Sequence, residues 1–242
     1  MKLGLGPVSL AGATRVSLAA LAEAAVAASF DAMWVAEARA EGVGGGLAAA
    51  AFLAQQVPIR VGAALDFGGY HPLHVAEDIA VADIASRGRI EVLLRGGSAE
   101  QRRLLVEALS GAHLRFDGET LHVPARLETN QPAPERLALN PRPLQPVVPV
   151  WVEGVDEDEA RALGTGIARR WQPGAVPPAV GRWSGMVLCP PGVAADQLLR
   201  AAGDAAAYFL VGALTPDEVA SAGRRLVGPL RMPGFPDWIN KQ

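Results

Sequence analysis

One stretch of the sequence, IEVLLRGGSAEQ, joins an apolar run to the start of a helix through Arg95, Gly96 and Gly97. Ser98 precedes the helix and Gln101 lies three positions later, which is the spacing of a capping box. Glycines before a helix N-terminus, beside an arginine, often hold a phosphate or another anion. The same residues also form tight turns that bind nothing. The sequence therefore leaves two interpretations, an anion site and a simple turn.

Glu37 is the candidate catalytic residue, because it stands at the end of a predicted strand, where a carboxylate is able to act as a general base. The competing interpretation is a carboxylate that accepts hydrogen bonds from neighbouring strands. His71 and His74 lie close together in the sequence, as two metal ligands do, but no cysteine or carboxylate cluster completes a site. We therefore predict that the protein has no metal centre.

Three tryptophans fall in or beside predicted strands: Trp34, Trp151 and Trp171. Such side chains are able to face a flat cofactor ring, although aromatic residues in barrel strands more often fill the core. Both interpretations stay open at this stage.

Composition excludes several classes of protein. The 242 residues are 50% hydrophobic and carry a formal net charge of only −3, with no long basic block. Nucleic acid is therefore not an expected partner. Cys189 is the single cysteine, which excludes an internal disulfide and indicates a reducing compartment.

The N-terminal sequence MKLGLGPVSLAGA begins with a basic residue and an apolar run, as a signal peptide does. Gly4, Gly6 and Pro7 interrupt that run, and Arg15 follows it. We therefore expect no leader. No segment reaches the roughly 20 unbroken apolar residues of a membrane span. These features predict a cytoplasmic protein that does not associate with a membrane.

Strand-like and helix-like segments alternate along the chain. Short apolar segments predict eight strands, at residues 2–6, 32–37, 59–65, 89–94, 148–154, 167–171, 183–190 and 208–212. Helical apolar spacing or a capping pattern follows most of them, most clearly Thr215, Pro216 and Glu218 before the last helix. This order predicts an α/β fold, a parallel (β/α)₈ TIM barrel, with a doubly wound open sheet as the competing topology.

Two segments depart from the regular alternation. Residues 111–147 are rich in proline and are predicted to be mostly loop. The segment PGAVPPAV follows the sixth strand, and its prolines Pro173, Pro177 and Pro178 exclude a regular helix. We therefore expect a shortened barrel whose sixth helix is reduced or missing.

Several blocks of the sequence resemble the bacterial luciferase-like family of flavin- or deazaflavin-dependent oxidoreductases. They are SFDAMWVAE (29–37), IRVGAAL (59–65), HPLHVAEDIAVADIASRGRIEVLLRGG (71–97), PVVPVWVEG (146–154) and LVGPLRMPG (226–234). The resemblance covers nearly the whole chain, so it implies one barrel domain over residues 1–242. It implies flavin mononucleotide (FMN) or a deazaflavin as cofactor, and monooxygenation or hydride transfer on a small organic substrate.

The resemblance also assigns residues to the cofactor. Arg95 matches an arginine that holds the flavin phosphate, with Gly96 and Gly97 beside it. Glu153 matches an acidic residue beside the ring, and Trp171 matches an aromatic residue at the end of the sixth strand.

Four further residues complete the candidate cofactor-binding set. Ala64 and Leu65 match a backbone kink after the third strand, often a non-proline cis peptide under the ring. Such a bond costs about 3 kcal/mol and persists only where function requires it. Gly6 in the first strand and Gly154 after the fifth strand are the other two.

The sequence departs from the family at three places. The family's Glu-His pair reads Glu37-Ala38, so its catalytic histidine is absent. Hydroxyl residues that help to hold phosphate are replaced by Gly154 and an acidic run, residues 156–159. One carboxylate 4 Å from a phosphate charge costs about 4 kcal/mol at an effective dielectric of 20. The fourth strand also lacks the usual inserted active-site segment after it, as in truncated non-fluorescent flavoproteins. We therefore expect weak FMN binding and no luciferase-type oxygenation.

Three functions follow as alternatives. The first is an oxidoreductase that uses reduced flavin or deazaflavin on a small organic substrate. The second is a non-catalytic barrel that binds a flavin or another ligand, and the third is a partner subunit. Relatives commonly dimerise, and the small-residue helix LAAAAFLA (47–54) would allow close approach of two copies, so a homodimer is expected.

Overall fold

Eight parallel strands close into a barrel in which each strand pairs with the next and the last pairs with the first. The computed structural model describes residues 1–37, 42–111, 113–124, 137–172, 175, 185–202, 207–212 and 215–230. The strands are β1 (Lys2–Ser9), β2 (Ala32–Ala36), β3 (Arg60–Asp66), β4 (Ile90–Arg95), β5 (Val150–Glu153), β6 (Gly166–Arg170), β7 (Gly185–Cys189) and β8 (Ala207–Val211).

Helices follow the strands and cover the outside of the barrel. They are α1 (Arg15–Ala27), α2 (Gly42–Gln56), α3 (Pro72–Ala85), α4 (Ala99–Leu109), α5 (Glu157–Leu163), α6 (Ala195–Ala202) and α7 (Pro216–Ala222), with a π-helical turn (Gly223–Val227) and α8 (Gly228–Leu230) at the end. The predicted capping box before α4 is confirmed, since the Ser98 hydroxyl accepts from the Gln101 N–H and the Gln101 amide oxygen accepts from the Ser98 N–H. The predicted start of α7 at Thr215 and Pro216 is also confirmed.

The interior of the barrel is filled by residues that alternate along the strands with residues facing the helices. Trp34, Trp151 and Tyr208 form its largest group, an aromatic cluster with ring centroids 5.5 to 6.1 Å apart in edge-to-face contacts. The Trp34 indole N–H donates to the Tyr208 hydroxyl over 2.7 Å. Burial raises the pKa of Tyr208 well above its usual value, and the charge of Glu91 acts in the same direction.

Glycines on the neighbouring strands make room for this aromatic cluster. A Cβ atom at Gly62 would lie 2.1 Å from Cδ2 of Trp34, and one at Gly4 would lie 2.5 Å from Cδ2 of Leu210. Protein interiors are packed as densely as organic crystals, so such overlaps are not absorbed without displacing the ring. The absence of a side chain at Gly62 is therefore what allows Trp34 to lie flat inside the barrel.

A polar network lies where the strands begin, at the end of the barrel opposite their carboxyl ends. Glu91 is 1% exposed and pairs with the guanidinium group of Arg60. Arg60 also donates to the amide oxygen of Gln145 over 2.7 Å, and the Gln145 amide nitrogen donates to Asp83 over 2.6 Å. Buried charges require such partners, and this network connects β3 and β4 to the segment that leads into β5.

The proline-rich segment 111–147 is mostly loop in its described part, as predicted. It contains a two-stranded antiparallel hairpin of residues 116–117 and 122–123. The carboxylate of Glu100, in the first turn of α4, accepts hydrogen bonds from the backbone N–H groups of Thr120 and Leu121 and from the Thr120 hydroxyl. These bonds lower the pKa of Glu100 and attach the hairpin to the barrel.

All eight predicted strands are present, and the closed order excludes the doubly wound open sheet. The prediction for the sixth helix falls on the connection between β6 and β7, where Pro173, Pro177 and Pro178 lie outside the described residues. In the described part of the chain, no helix has the length and apolar character needed to cross a membrane.

We predict that Gly62→Ala lowers the free energy of unfolding by about 2 kcal/mol or more, because the added methyl overlaps the indole of Trp34. Urea unfolding followed by circular dichroism measures this change. The matched control is Gly44→Ala, in α2, where a Cβ meets nothing within 4 Å. Replacing a helical glycine with alanine raises the free energy of unfolding by about 0.5 to 1 kcal/mol, so the control variant is expected to be more stable than the parent. Equal stability of Gly62→Ala and the parent would contradict the packing described here.

Candidate active site at the mouth of the barrel

Five charged residues lie at or next to the carboxyl ends of consecutive strands, the end of the barrel that we call the mouth. These mouth charges are Glu37 after β2, Asp66 on β3, Arg95 on β4, Glu153 on β5 and Arg170 on β6. The strand register sets Asp66 beside Arg95 and Arg95 beside Glu153. Active sites of (β/α)₈ barrels lie at this end, so the mouth is the candidate active site.

Glu153 connects the two arginines of the mouth. Its Oε2 accepts from Nε of Arg95 over 2.9 Å, and its Oε1 accepts from Nη2 and Nε of Arg170 over 3.0 and 3.2 Å. The side chains of Glu153 and Arg95 are 20% and 30% exposed, so both are partly shielded from water. Charge-assisted pairs of this kind are stronger than neutral hydrogen bonds. Arg95 donates through Nε and Arg170 through Nε and Nη2, so both guanidinium groups pair with one carboxylate.

The turn at Gly96 and Gly97 has a backbone conformation that favours glycine. The two residues have φ angles of +71° and +73°, in the left-handed region. A Cβ at Gly97 would lie 2.6 Å from the ring of Phe67. Both carbonyl oxygens accept from Nη1 of Arg102, over 3.0 and 2.6 Å. The turn interpretation thus accounts for both glycines, and the anion interpretation stays a prediction.

The acidic run after β5 is compensated residue by residue. Glu159 pairs with Arg102 over 2.5 Å, Glu157 pairs with Arg169 over 2.8 Å and Asp158 pairs with Arg161 over 2.6 Å. Asp156 caps α5, since its Oδ1 accepts from the Glu159 N–H. Three arginines and the N-terminus of α5 therefore offset the charge of the four acids, and the expected weakening of phosphate binding by this run stays a prediction.

Glu37 lies at the mouth with its carboxylate directed toward α2. Its Oε1 accepts from the backbone N–H of Asp66 over 2.8 Å, as the non-catalytic interpretation predicted. Its Oε2 is buried and has no hydrogen-bond partner among the residues that the structure describes. A Cβ at Gly46 of α2 would be 3.8 Å from this oxygen. Burial raises the pKa of Glu37, and the charge of Asp66 raises it further, while the N–H of Asp66 and the charge of Arg95 lower it. The carboxylate therefore holds its proton to a higher pH than usual.

The third strand has no kink at Ala64 and Leu65. Among the described residues the cis peptides precede Pro7, Pro124 and Pro141, so the expected non-proline cis peptide is wrong for this chain. Both residues lie in regular β3, with Ala64 paired to Ala36 and Leu93. Ala64 faces the interior of the barrel, whereas the side chain of Leu65 packs in the outer core near Gly46. Only Ala64 therefore presents its side chain to the barrel interior.

Two other candidates have structural explanations in the folded barrel. The indole of Trp171 is buried in the outer core, and its N–H donates to the Ala175 carbonyl over 3.0 Å. Gly6 is a buried glycine at φ +114°, where a Cβ would lie 2.4 Å from the Trp34 carbonyl oxygen. Close strand packing therefore explains Gly6. Gly154 is an exposed glycine at φ +85° directly after β5.

The remaining candidates have structural roles. His71 caps α3, because its Nδ1 accepts from the Leu73 N–H, and His74 pairs with Glu77. In the described part of the chain, no group of three potential ligands is placed to hold a metal. Burial raises the pKa of Cys189 to about 12, so its thiol stays protonated and is a poor nucleophile.

Sequence reasoning missed Asp66, Arg102 and Arg170. The aromatic pattern pointed to Trp171 and not to its neighbour Arg170. The alternation of β6 directs residue 170 and not 171 to the interior side. Because side chains two positions apart on a strand share a face, an inward Ala168 also predicts an inward Arg170. Nothing in the sequence indicated that Arg102 would bind the Gly96-Gly97 turn.

Comparison with known proteins agrees with this architecture. The sequence model described as luciferase-like monooxygenase matches residues 6–185. No curated protein matches the chain. Among solved structures, monooxygenase RslO1 from Streptomyces bottropensis aligns at a TM-score of 0.66 with 14% identity, over 95% of this chain and 99% of that one.

Two other structures extend the comparison. MsnO8 in its apo form aligns at a TM-score of 0.63 with 15% identity, over 94% of this chain and 97% of its own. The coenzyme F420-dependent tetrahydromethanopterin reductase from Methanopyrus kandleri aligns at 0.52 with 14% identity, over 94% of this chain and 63% of its own. At these identities the structures establish the shared fold, while the family match covers most of the chain. The protein is therefore a member of the luciferase-like monooxygenase family.

Proposed function

We propose that the protein is an oxidoreductase that works with a reduced flavin or deazaflavin bound at the mouth of the barrel, on a small organic substrate. Family membership and a closed barrel with a charged mouth support this proposal. The cofactor would supply hydride transfer or oxygen activation, and the protein would orient it and exclude water.

The observation that carries the proposal is the small size of the interior side chains near the mouth. Ala36, Ala64 and Ala168 lie on the inner face of three strands, above the aromatic cluster. Ala36 is paired with Ala64, so two small side chains lie side by side at this level. Trp34 and Trp151 lie deeper and would form the apolar floor beneath a flat ring. Small inner side chains above an aromatic floor support the proposal of a flavin or deazaflavin ring at this place.

Glu37 is the candidate acid–base group of this proposal. Its buried Oε2 accepts no hydrogen bond from the described part of the chain, and its raised pKa brings its titration closer to neutral pH. General acids and bases work best when their pKa lies near the working pH. The imidazole that relatives place after this glutamate is missing, because residue 38 is alanine.

A non-catalytic ligand-binding barrel, or a partner subunit, is the second candidate function. The missing histidine favours it, as does the commitment of Arg95 and Arg170 to Glu153. The homodimer stays a prediction. Of the small-residue stretch 47–54 in α2, Ala48, Ala49 and Phe52 reach the surface, while the other residues pack in the core.

The experiment is an anaerobic titration of the purified protein with reduced riboflavin, reduced FMN and a reduced deazaflavin, followed by absorbance and fluorescence. Oxygen or an organic acceptor is then added. If the compound binds and is oxidised faster than it is when free in solution, the result supports the enzyme. If it binds but is oxidised no faster, the result supports the ligand-binding barrel. Failure of all three compounds to bind would contradict the enzyme and the ligand-binding barrel, and would favour the partner subunit.

We predict that Ala36→Phe weakens ring binding by tenfold or more, about 1.4 kcal/mol, because a phenyl group fills the space above the aromatic cluster. Fluorescence titration with riboflavin measures the affinity. Ala48→Phe, on the exposed side of α2, is the matched control and is expected to bind as the parent does. Equal affinity of both variants would place the ring elsewhere.

We predict that Glu37→Gln raises the free energy of unfolding at pH 7, by up to about 1 kcal/mol after allowance for solvent screening. The amide keeps the acceptor for the Asp66 N–H and removes the cost of ionising a buried carboxyl. Because the folded pKa is raised, the parent is relatively most stable at low pH and loses stability as pH rises through the raised pKa. The difference between variant and parent is therefore expected to vanish below about pH 4, where the carboxyl is protonated in both the folded and the unfolded chain.

Activity separates the two interpretations of Glu37. An acid–base role predicts that Glu37→Gln lowers turnover by about 100-fold or more while ligand affinity is unchanged. Unchanged turnover would leave Glu37 as a residue that only connects β2 to β3.

A further inference from the structure

We propose that Glu153 is a built-in anion of the mouth, which occupies Arg95 and Arg170 and makes this site select ligands without a terminal phosphate there. The inference rests on the proposed function, which places a flavin or deazaflavin ring at the mouth. It adds that the mouth disfavours a phosphate on the tail of that ligand. It differs from the assignment of Arg95 as a phosphate holder.

The geometry shows that Glu153 already takes the position of a bound anion. Its two oxygens are divided between the two guanidinium groups, Oε2 with Arg95 at 2.9 Å and Oε1 with Arg170 at 3.0 Å. A carboxylate clamped between two arginines presents the same chemistry as a ligand carboxylate or phosphate at that point. A phosphate would therefore have to displace Glu153 or share the arginines with it.

The charge balance of the mouth opposes such sharing. The carboxylates Glu37, Asp66 and Glu153 outnumber the guanidinium groups of Arg95 and Arg170 by three to two. Even with Glu37 protonated, the four remaining charges cancel. Among the described residues of the mouth, a phosphate monoester would meet no positive charge in excess of the carboxylates, while it would bring up to two further negative charges to a partly shielded site. The residues present thus fit the ring of FMN but not its phosphate at this position.

The acidic run after β5 does not enter this charge balance, because Glu157 and Glu159 pair with arginines that are not among the five mouth charges. Glu157 bonds to Arg169, and Glu159 bonds to Arg102. Glu157 therefore supplies a matched control, a partly exposed carboxylate paired with one arginine in the same region.

The experiment compares riboflavin with FMN, which differ only in the phosphate, on the parent, Glu153→Gln and Glu157→Gln. The parent and Glu157→Gln are expected to bind both compounds with similar affinity. Glu153→Gln keeps an oxygen acceptor but frees positive charge, so it is expected to bind FMN about tenfold or more tightly than riboflavin. Isothermal titration calorimetry gives the affinities without any need for turnover. A parent that already prefers FMN tenfold would overturn the inference, and so would a Glu153→Gln variant with no preference.

A second arm uses inorganic phosphate and needs no flavin. Thermal unfolding with and without phosphate, at constant ionic strength, should show stabilisation of Glu153→Gln but not of the parent. Adding Arg170→Ala to Glu153→Gln should abolish that stabilisation, whereas Arg170→Ala alone should leave the response of the parent unchanged. If no flavin binds but phosphate stabilises Glu153→Gln alone, the proposed function fails and the inference stands. Equal stabilisation of parent and Glu153→Gln would refute the inference.

Discussion

Eight parallel strands enclose a volume that only their own side chains fill, and this packing constraint governs the rest of the structure. Trp34, Trp151 and Tyr208 provide the bulk, and glycines on adjacent strands provide the space. The Trp34 ring lies where a side chain on Gly62 would otherwise be, which ties the residue type on β3 to the residue type on β2. Dense packing makes these choices interdependent, because neither a void nor an overlap is tolerated inside a closed barrel.

This filling divides the barrel into three levels with different chemistry. Charged residues at the beginning of the strands, Arg60 and Glu91 among them, form a hydrogen-bonded network that closes one end. The aromatic cluster occupies the middle. Alanines and the five mouth charges lie at the other end, where the charged side chains meet solvent. The candidate site is thus the end of the barrel at which charged side chains reach solvent.

Arginine pairing then decides the electrostatic character of the mouth. Arg102 holds the Gly96-Gly97 turn and the acid Glu159, so one residue connects α4, the end of β4 and the start of α5. Arg95 and Arg170 share Glu153 in the same way. Because each of these arginines has a carboxylate partner, an isolated arginine in the sequence does not identify an anion site; its partners in space do.

Local patterns were enough to predict the positions of the strands, the helix starts at Ser98 and Thr215, and the family, because these depend on apolar periodicity, capping geometry and contiguous motifs. They also named four of the mouth positions or their neighbours, Glu37, Arg95, Glu153 and Trp171. Closure of the barrel and the contacts between these residues follow from the folded chain alone. Arg170 and not Trp171 contacts Glu153, Leu65 faces away from the interior, and the acidic run is neutralised by arginines up to 57 residues away. The physical reason is that pairing between charges depends on strand register and barrel closure, which bring distant residues together and which no local pattern encodes.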